Sequence, residues 1–142
     1  MTIAAILGGK GQDVVSISGD RTVAEAVALL AGKRIGAVPV IAGGSVAGIF
    51  SERDVIYCLE RDGTAALGRP VSQVMTAPAI TVSPDEPVLS ALALMTRRRI
   101  RHLPVVEGGQ CIGFVSIGDL VKYRIDRIES EAEAMRTYIQ TA

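Results

Sequence analysis

Residues 48–54 read GIFSERD, and residues 113–119, which lie 65 positions further along, read GFVSIGD. Both stretches have the form Gly–apolar–apolar–Ser–x–x–Asp. The apolar residues predict the end of a buried strand, and a serine followed three residues later by an acid predicts the start of a helix. The same strand-to-helix junction therefore occurs twice in a chain of 142 residues.

The two junctions belong to a longer internal repeat, which decides the organisation of the chain. With a shift of 65 residues, residues 15–56 align with residues 80–121 without a gap. Identical positions include Arg34/Arg99, Pro39/Pro104, Gly43/Gly108, Gly44/Gly109, Gly48/Gly113, Ser51/Ser116 and Asp54/Asp119. At about 60 residues, neither unit buries enough apolar surface to fold alone. We therefore expect the two units to pack together with pseudo-twofold symmetry.

Each unit predicts the order strand, helix, strand, strand, helix. The first strands are VVSIS (14–18) and AITVS (79–83), and Thr22 with Glu25 has the spacing of a capping box for the helix that follows. The next strands contain AVPVI (37–41) and HLPVV (102–106), whose prolines favour an edge or strand-end position. Gly-Gly pairs then predict tight hairpin turns into the strands VAGIF (46–50) and CIGFV (111–115).

The predicted fold class is α/β (α+β), with two pseudo-twofold-related repeats packed as one module. The predicted boundaries are 12–64 for repeat 1, 65–78 for a connector, 79–125 for repeat 2 and 126–142 for a C-terminal helical extension. A heptad-like apolar seam runs into this extension, although it is too short to define a coiled coil by itself, at Ile125, Ile128, Ala132, Met135 and Ile139.

Composition narrows the classes of function. Lysine plus arginine equals aspartate plus glutamate at 15 each, so we expect no general affinity for nucleic acid or an acidic membrane. No apolar run approaches the roughly 18 residues of a membrane span, and the amino terminus lacks a charged leader, so we expect a cytoplasmic protein. One histidine and two separated cysteines cannot form a His/Cys metal cluster, and the cysteines are interpreted as buried apolar residues.

The repeated Ser-x-x-Asp motif has two interpretations. In the first, Ser51 and Ser116 cap helices while Asp54 and Asp119 favour the helix dipole. In the second, the helix N-terminus binds an anion and the carboxylate accepts the hydroxyls of a ribose. Capping and ligand binding do not exclude each other.

At this point the whole arrangement resembles a pair of cystathionine-β-synthase (CBS) domains, also called a Bateman module. The resemblance covers about residues 12–125 and is carried by RIGAVPVIAGGSVAGIFSERDVI, by RRIRHLPVVEGGQCIGFVSIGDLV and by VMT at 74–76. It implies a regulatory module that binds adenine nucleotides in two clefts between the repeats. It also implies a homodimer, which the apolar seam supports independently.

The resemblance implies specific residues in each cleft. Asp54 and Ser51, with Arg53 in the same motif, belong to the first cleft, which Thr76 and Ile80 complete. Asp119 and Ser116 belong to the second cleft, which Val15, Gly36 and Ala37 complete. The doublet Arg101-His102 is expected to point toward phosphate, with Arg101 as the favoured contact because neighbouring strand residues face opposite sides.

Three functional classes remain. The leading hypothesis is a non-catalytic sensor of AMP or a related adenine nucleotide, acting on an unidentified regulated protein. The ligand choice among AMP, ADP, ATP, S-adenosylmethionine and NAD(H) stays open, and an NAD(H)-binding redox sensor is the main alternative. A ligand-free structural dimerisation module is the third. We expect no enzyme, because no nucleophile–base pair, catalytic cofactor or metal set is recognisable.

Overall fold

The computed structural model describes residues 1–10 and 13–141. The predicted repeat boundary at residue 12 and the predicted end of the extension at residue 142 lie outside the described residues. The helices and strands follow one another as α1 (Ile3–Lys10), β1 (Ile17–Ser18), α2 (Val23–Lys33), β2 (Ala37–Ala42), β3 (Ser45–Ser51), α3 (Glu52–Asp62), α4 (Val88–Arg98), β4 (His102–Glu107), β5 (Gln110–Ser116) and α5 (Ile117–Thr141). The predicted fold class is confirmed.

Two antiparallel hairpins form the centre of the repeats. β2 pairs with β3 so that Ala42 faces Ser45, and β4 pairs with β5 so that Glu107 faces Gln110. The two glycines between the strands have φ of 59° and 81° in the first hairpin and 59° and 79° in the second. Successive residues at positive φ are what a two-residue hairpin of the predicted kind requires, which explains the repeated Gly-Gly.

The prediction of an edge position is wrong for β2, which carries Pro39, whereas β4, which carries Pro104, is a strand of a two-stranded sheet. β2 lies between β1 and β3 in a three-stranded sheet, and its parallel pairing with β1 begins at Val40, one residue after Pro39. On the other side, Pro39 faces Ile49, whose backbone amide donates to the carbonyl of Thr76 instead. The missing N–H of Pro39 therefore interrupts no ladder hydrogen bond.

The first strand of each repeat is shorter than predicted. Only Ile17 and Ser18 form β1, and in the second repeat Val82 makes a single parallel bridge to Val105. The apolar runs at 14–18 and 79–83 therefore predicted the position of this strand but not its length. Val14 and Val15 instead line a cleft.

Each repeat has its own hydrophobic core, and each core is completed by a segment outside the aligned repeat. In repeat 1, Ala66 and Val71 of the connector are fully buried beside Val38 and Phe50. The connector forms two 3-10 helices, Gly63–Gly68 and Val71–Gln73. Because residues 63–76 directly follow α3, repeat 1 is contiguous in sequence.

Repeat 2 is completed from the opposite end of the chain. Ile3 and Ile6 of α1 are buried in its core, beside Leu103 and Val115. The backbone of α1 is fixed by hydrogen bonds from the amide of Ile3 to the carbonyl of Glu86 and from the amide of Ala4 to the carbonyl of Pro84, both at 2.9 Å. This helix was not predicted, because its apolar residues surround it rather than forming one stripe.

In each repeat, one glycine lies in close contact with the segment that completes the core. A Cβ on Gly48 would lie 2.7 Å from the carbonyl oxygen of Thr76 and 2.8 Å from the sulfur of Met75. A Cβ on Gly113, the equivalent residue, would lie 2.5 Å from Leu7 of α1. These glycines therefore admit the connector in repeat 1 and α1 in repeat 2.

The capping and cysteine predictions are confirmed, with one qualification. Glu25 N donates to Thr22 Oγ at 3.1 Å at the start of α2. Cys58 is buried and Cys111 is half-buried, and burial raises the pKa of the Cys111 thiol. Over the described part of the chain, every helix is too short or too polar to cross a bilayer.

Candidate ligand-binding clefts

The two Ser-x-x-Asp motifs lie where β3 runs into α3 and where β5 runs into α5. The amide of Ser51 donates to Asp54 Oδ2 at 2.9 Å, and the amide of Ser116 donates to Asp119 Oδ2 at 2.8 Å. In the second motif the Asp119 amide also donates to Ser116 Oγ at 3.1 Å. The helix-capping interpretation is confirmed for both motifs, since each carboxylate satisfies the backbone N–H of its serine.

The first cleft opens beside the N-terminus of α3. It has a volume of about 340 Å³ and lies between residues of both repeats. Its lining is Gly36, Ile49, Ser51, Glu52, Arg53, Thr76, Ile100, Arg101, His102, Ser116 and Ile117. The predicted residues that come together here are Ser51, Arg53 and Thr76 of the first cleft, and Arg101 and His102 of the doublet.

Asp54 lies behind the wall of the first cleft, only 7% exposed. The Thr76 hydroxyl donates to its Oδ1 at 2.9 Å, while Ser51 N and Ser51 Oγ donate to its Oδ2 at 2.9 and 3.2 Å. Both carboxylate oxygens are therefore engaged by donors from within the chain. The buried carboxylate therefore links the start of α3 to the connector by hydrogen bonds.

The second cleft opens beside the N-terminus of α5. It has a volume of about 440 Å³, within the range of small-molecule sites. Its lining is Leu7, Asp13, Val14, Val15, Arg34, Ile35, Gly36, Ala37, His102, Gly113, Phe114, Ser116 and Asp119. The structure thus brings together Val15, Gly36, Ala37, Ser116 and Asp119 as the sequence predicted.

The two aspartates differ because the segments that complete the two repeats differ. Beside Gly48 the connector supplies Met75 and then Thr76, whose hydroxyl covers Asp54. Beside Gly113, α1 supplies Leu7. Asp119 accordingly lines its cleft, whereas Asp54 does not.

The clefts share one wall. Gly36, His102 and Ser116 line both of them. The imidazole of His102 stacks on the ring of Phe114, with 5.5 Å between centroids and 10° between planes. A Cβ on Gly36 would lie 2.7 Å from Glu52 Oε1, the far end of a flexible side chain.

Ile80 does not line either cleft. It is partly buried and packs against the core of repeat 2, beyond the short bridge of Val82 to β4. Arg101 and His102 do project differently, as alternation along a strand predicts, since Arg101 lines the first cleft alone and His102 lines both.

Sequence reasoning missed several lining residues. In the second cleft these include Asp13, Arg34 and Phe114, and in the first cleft Glu52. One signal was available, because Arg34 and Arg99 are identical between the repeats and both adopt left-handed backbone at φ 54° and 55°. A non-glycine residue at positive φ is uncommon and marks a position worth attention.

The charges of the two clefts differ in sign. Arg53 and Arg101 face the first cleft together with one carboxylate, that of Glu52. Arg34 faces the second cleft together with two carboxylates, those of Asp13 and Asp119. The first cleft is thus the better environment for an anion, and the second is the better environment for hydroxyl donors.

Comparison with known proteins agrees with this architecture. The CBS domain family model matches residues 11–61 and 71–126. The chain is 34% identical over 148 residues to the mitochondrial CBS domain-containing protein CBSX3 of Arabidopsis thaliana, covering 98% of this chain and 72% of that protein.

Solved structures give the same result. A CBS-domain containing protein from Agrobacterium tumefaciens superposes with a TM-score of 0.83 at 38% identity, covering 87% of this chain and 99% of that one. A CBS domain protein from Pyrobaculum aerophilum, solved in complex with AMP, superposes with a TM-score of 0.74 at 28% identity, covering 84% and 89%. With both repeats matched by the family model and the fold reproduced along its length, the chain belongs to the CBS-domain family as a pair of CBS domains.

Proposed function

We propose that this CBS pair is a non-catalytic regulatory module that binds an adenine nucleotide, AMP or a close relative, with the second cleft as its principal site. The observation that carries the proposal is the position of Asp119, whose carboxylate lines a cleft of about 440 Å³ at the N-terminus of α5. A carboxylate beside a helix start is suited to accept the two hydroxyls of a ribose. The AMP complex of the Pyrobaculum aerophilum protein supports the choice of ligand class.

The remaining parts of a nucleotide follow from the surroundings of Asp119. Val15 and Ala37 offer apolar surface to a base, and Gly36 leaves room beside them. The phosphate is assigned to the shared wall, where the N-terminus of α5 supplies partial positive charge. There His102 lines both clefts, whereas the full positive charge of Arg101 faces the first cleft alone.

The first cleft is proposed as a weaker site. Its arginines and the N-terminus of α3 favour an anion, but Asp54 accepts ribose hydroxyls only after Thr76 releases it. That rearrangement uncovers a buried carboxylate and therefore opposes binding. We expect the second cleft to fill first.

We also propose that the module is a homodimer. Ile56 and Tyr57 of α3 are 63% and 61% exposed, and Val121 at the equivalent position of α5 is 42% exposed. A second copy covering these surfaces removes apolar area from water, which favours association. Light scattering of the purified protein should give twice the chain mass of 14.9 kDa at micromolar concentration.

Calorimetric titration with AMP and adenosine tests the nucleotide site. Asp119→Ala should weaken AMP and adenosine alike by about 10–150-fold, because a hydrogen bond to a charged group contributes roughly 1.5–3 kcal/mol. Asp54→Ala, the matched control, should leave the tighter site near its original affinity. Arg101→Ala should weaken AMP in the first cleft, which Arg101 lines, and leave adenosine nearly unchanged.

Other outcomes would replace the proposal. Tighter binding of NAD(H) than of AMP, or NAD(H) released from natively purified protein and identified by mass spectrometry, would make the module a redox sensor. Absence of heat and of thermal stabilisation with AMP, ADP, ATP, S-adenosylmethionine and NAD(H) would leave a structural dimerisation module. A ligand at a hundred times its dissociation constant stabilises the native state by about 2.7 kcal/mol, so binding to the folded protein is readily detected.

A further inference from the structure

The C-terminal part of α5 extends beyond the domain. Every residue from 125 to 141 is exposed, although this segment carries Ile128 at 50% exposure, Met135 at 59% and Ile139 at 66%. An isolated helix of this length is marginally stable in water. The apolar residues on its surface indicate a partner that covers one face.

The exposed apolar residues lie on one stripe of α5. They are spaced by four and three residues alternately, which is the heptad spacing of a coiled coil, at Val121, Ile125, Ile128, Ala132, Met135 and Ile139. The first two of these face away from the domain, since Leu120 on the other side is fully buried and Tyr123 packs against the core of repeat 2.

We propose that this stripe pairs with the same stripe of a second copy, as a parallel, in-register, two-stranded coiled coil. Charge complementarity argues for this occupant. In a parallel pair, the residue that precedes Ile125 or Ala132 lies near the residue five positions later in the other helix. That rule places Arg124 opposite Glu129 of the second copy and Glu131 opposite Arg136 of the second copy. Each pairing occurs twice by symmetry, and all four pairs join opposite charges.

The antiparallel alternative is disfavoured by the same charges. In an antiparallel pair centred between Ile128 and Ala132, Glu129 lies near Glu129 of the second copy. Glu131 likewise lies near Glu131 of the second copy. It also sets Lys122 near Arg136 of the second copy. Like charges at those positions are repulsive.

Three of the residues that flank the seam also form ion pairs within the helix, with partners on its outer side, and one of these pairs joins Glu131 to Arg127 at 4.0 Å. Arg136 Nη1 lies 2.9 Å from Glu133 Oε2, and Lys122 Nζ lies 3.6 Å from Asp126 Oδ2. Glu133 and Asp126 stand outside the positions that flank the seam. Their charges stabilise the single helix and do not choose the partner's direction.

This inference goes beyond the proposed nucleotide site and the proposed dimer, because it specifies the direction and register of two helices. Cysteine cross-linking tests the direction in full-length protein carrying Cys111→Ala, with Cys58 retained because it is buried. Ile139→Cys should form an interchain disulfide on mild oxidation, since residue 139 meets its own copy only in a parallel pair. Thr137→Cys, on the outer side of α5, is the control and should remain unlinked.

Charge reversal tests the register. Glu131→Arg sets one arginine against Arg136 of the second copy, twice by symmetry, and should raise the dissociation constant of the dimer about tenfold in sedimentation experiments. The double variant Glu131→Arg/Arg136→Glu should restore it. Glu133→Arg is the matched control, because it makes the same change of charge and removes an intrahelical pair at 2.9 Å, yet should leave the constant within about twofold.

Two results would overturn the proposal. A dimer that forms no disulfide at residue 139 would show that only the domains associate, and equal effects of Glu131→Arg and Glu133→Arg would show that the flanking charges do not pair. A monomeric chain would overturn both this coiled coil and the proposed dimer. None of these results depends on whether a nucleotide binds.

Discussion

Replacing Thr76 by valine is the most informative perturbation of the first cleft, because valine keeps the shape of threonine and removes its hydroxyl. That hydroxyl donates to Asp54 Oδ1 at 2.9 Å, and the carboxylate that receives it is 7% exposed. Leaving a buried charged acceptor without this donor costs roughly 1.5–3 kcal/mol. We expect Thr76→Val to lower the free energy of unfolding by this amount.

The change should have the opposite effect on ligand affinity in the first cleft. With the Thr76 hydroxyl gone, Asp54 no longer has to exchange a hydrogen bond within the chain for one to a ribose. Adenosine binding in that cleft should therefore tighten while the fold weakens. No mechanism based on capping alone moves the two quantities in opposite directions, because the capping bond from Ser51 N remains.

Urea unfolding followed by circular dichroism measures the first effect, and calorimetric titration in an Asp119→Ala background measures the second. Thr64→Val is the control, since Thr64 is exposed in the connector. A loss of stability below about 0.5 kcal/mol for Thr76→Val, equal to that of the control, would refute the view that Asp54 depends on this donor.

Three further predictions concern the segments that complete the repeats and the cysteines. Gly48→Ala should destabilise the protein by about 1–3 kcal/mol in urea and Gly113→Ala by less, because the first added methyl meets backbone and the second meets the flexible Leu7 side chain. Ile3→Ala should cost about 2–5 kcal/mol, since Ile3 is fully buried, and an unchanged urea midpoint would show that α1 is not part of the core. The raised pKa of the Cys111 thiol means that thiolate forms at higher pH than in a free cysteine, so iodoacetamide should label it slowly at neutral pH and faster as pH rises. Labelling at the rate of a free thiol in native protein, followed by peptide mapping, would contradict this.

The repeat made most of the fold predictable. Hydrophobic periodicity and the Gly-Gly turns located the hairpins and the helices that flank them, because these elements are defined by local sequence. The length of the first strands was not predictable from an apolar run alone. Val14 and Val15 are apolar because they face a cleft, whereas Ile17 is apolar because it lies in a sheet.

The candidate clefts were predictable where the repeats are alike and not where they differ. Both motifs have the same Ser-x-x-Asp form, and this form does not distinguish Asp54 from Asp119. The difference comes from Thr76, which is 22 residues from Asp54 and is placed over it by the connector. Such a contact depends on how segments cross in three dimensions, and a single sequence does not specify it.

The position of α1 affects the order in which the chain is able to fold during synthesis. All the residues that form the core of repeat 1, including those of the connector, are present once residue 76 has been made. Helix α1 is made earlier, but the core that receives Ile3 and Ile6 also needs Leu120 of α5. At about 5–20 residues per second, the intervening stretch of roughly 110 residues takes about 5–20 seconds to synthesise. During that interval the core that buries Ile3 and Ile6 is incomplete, because its residues are supplied in turn by the segment from Val82 to Leu120.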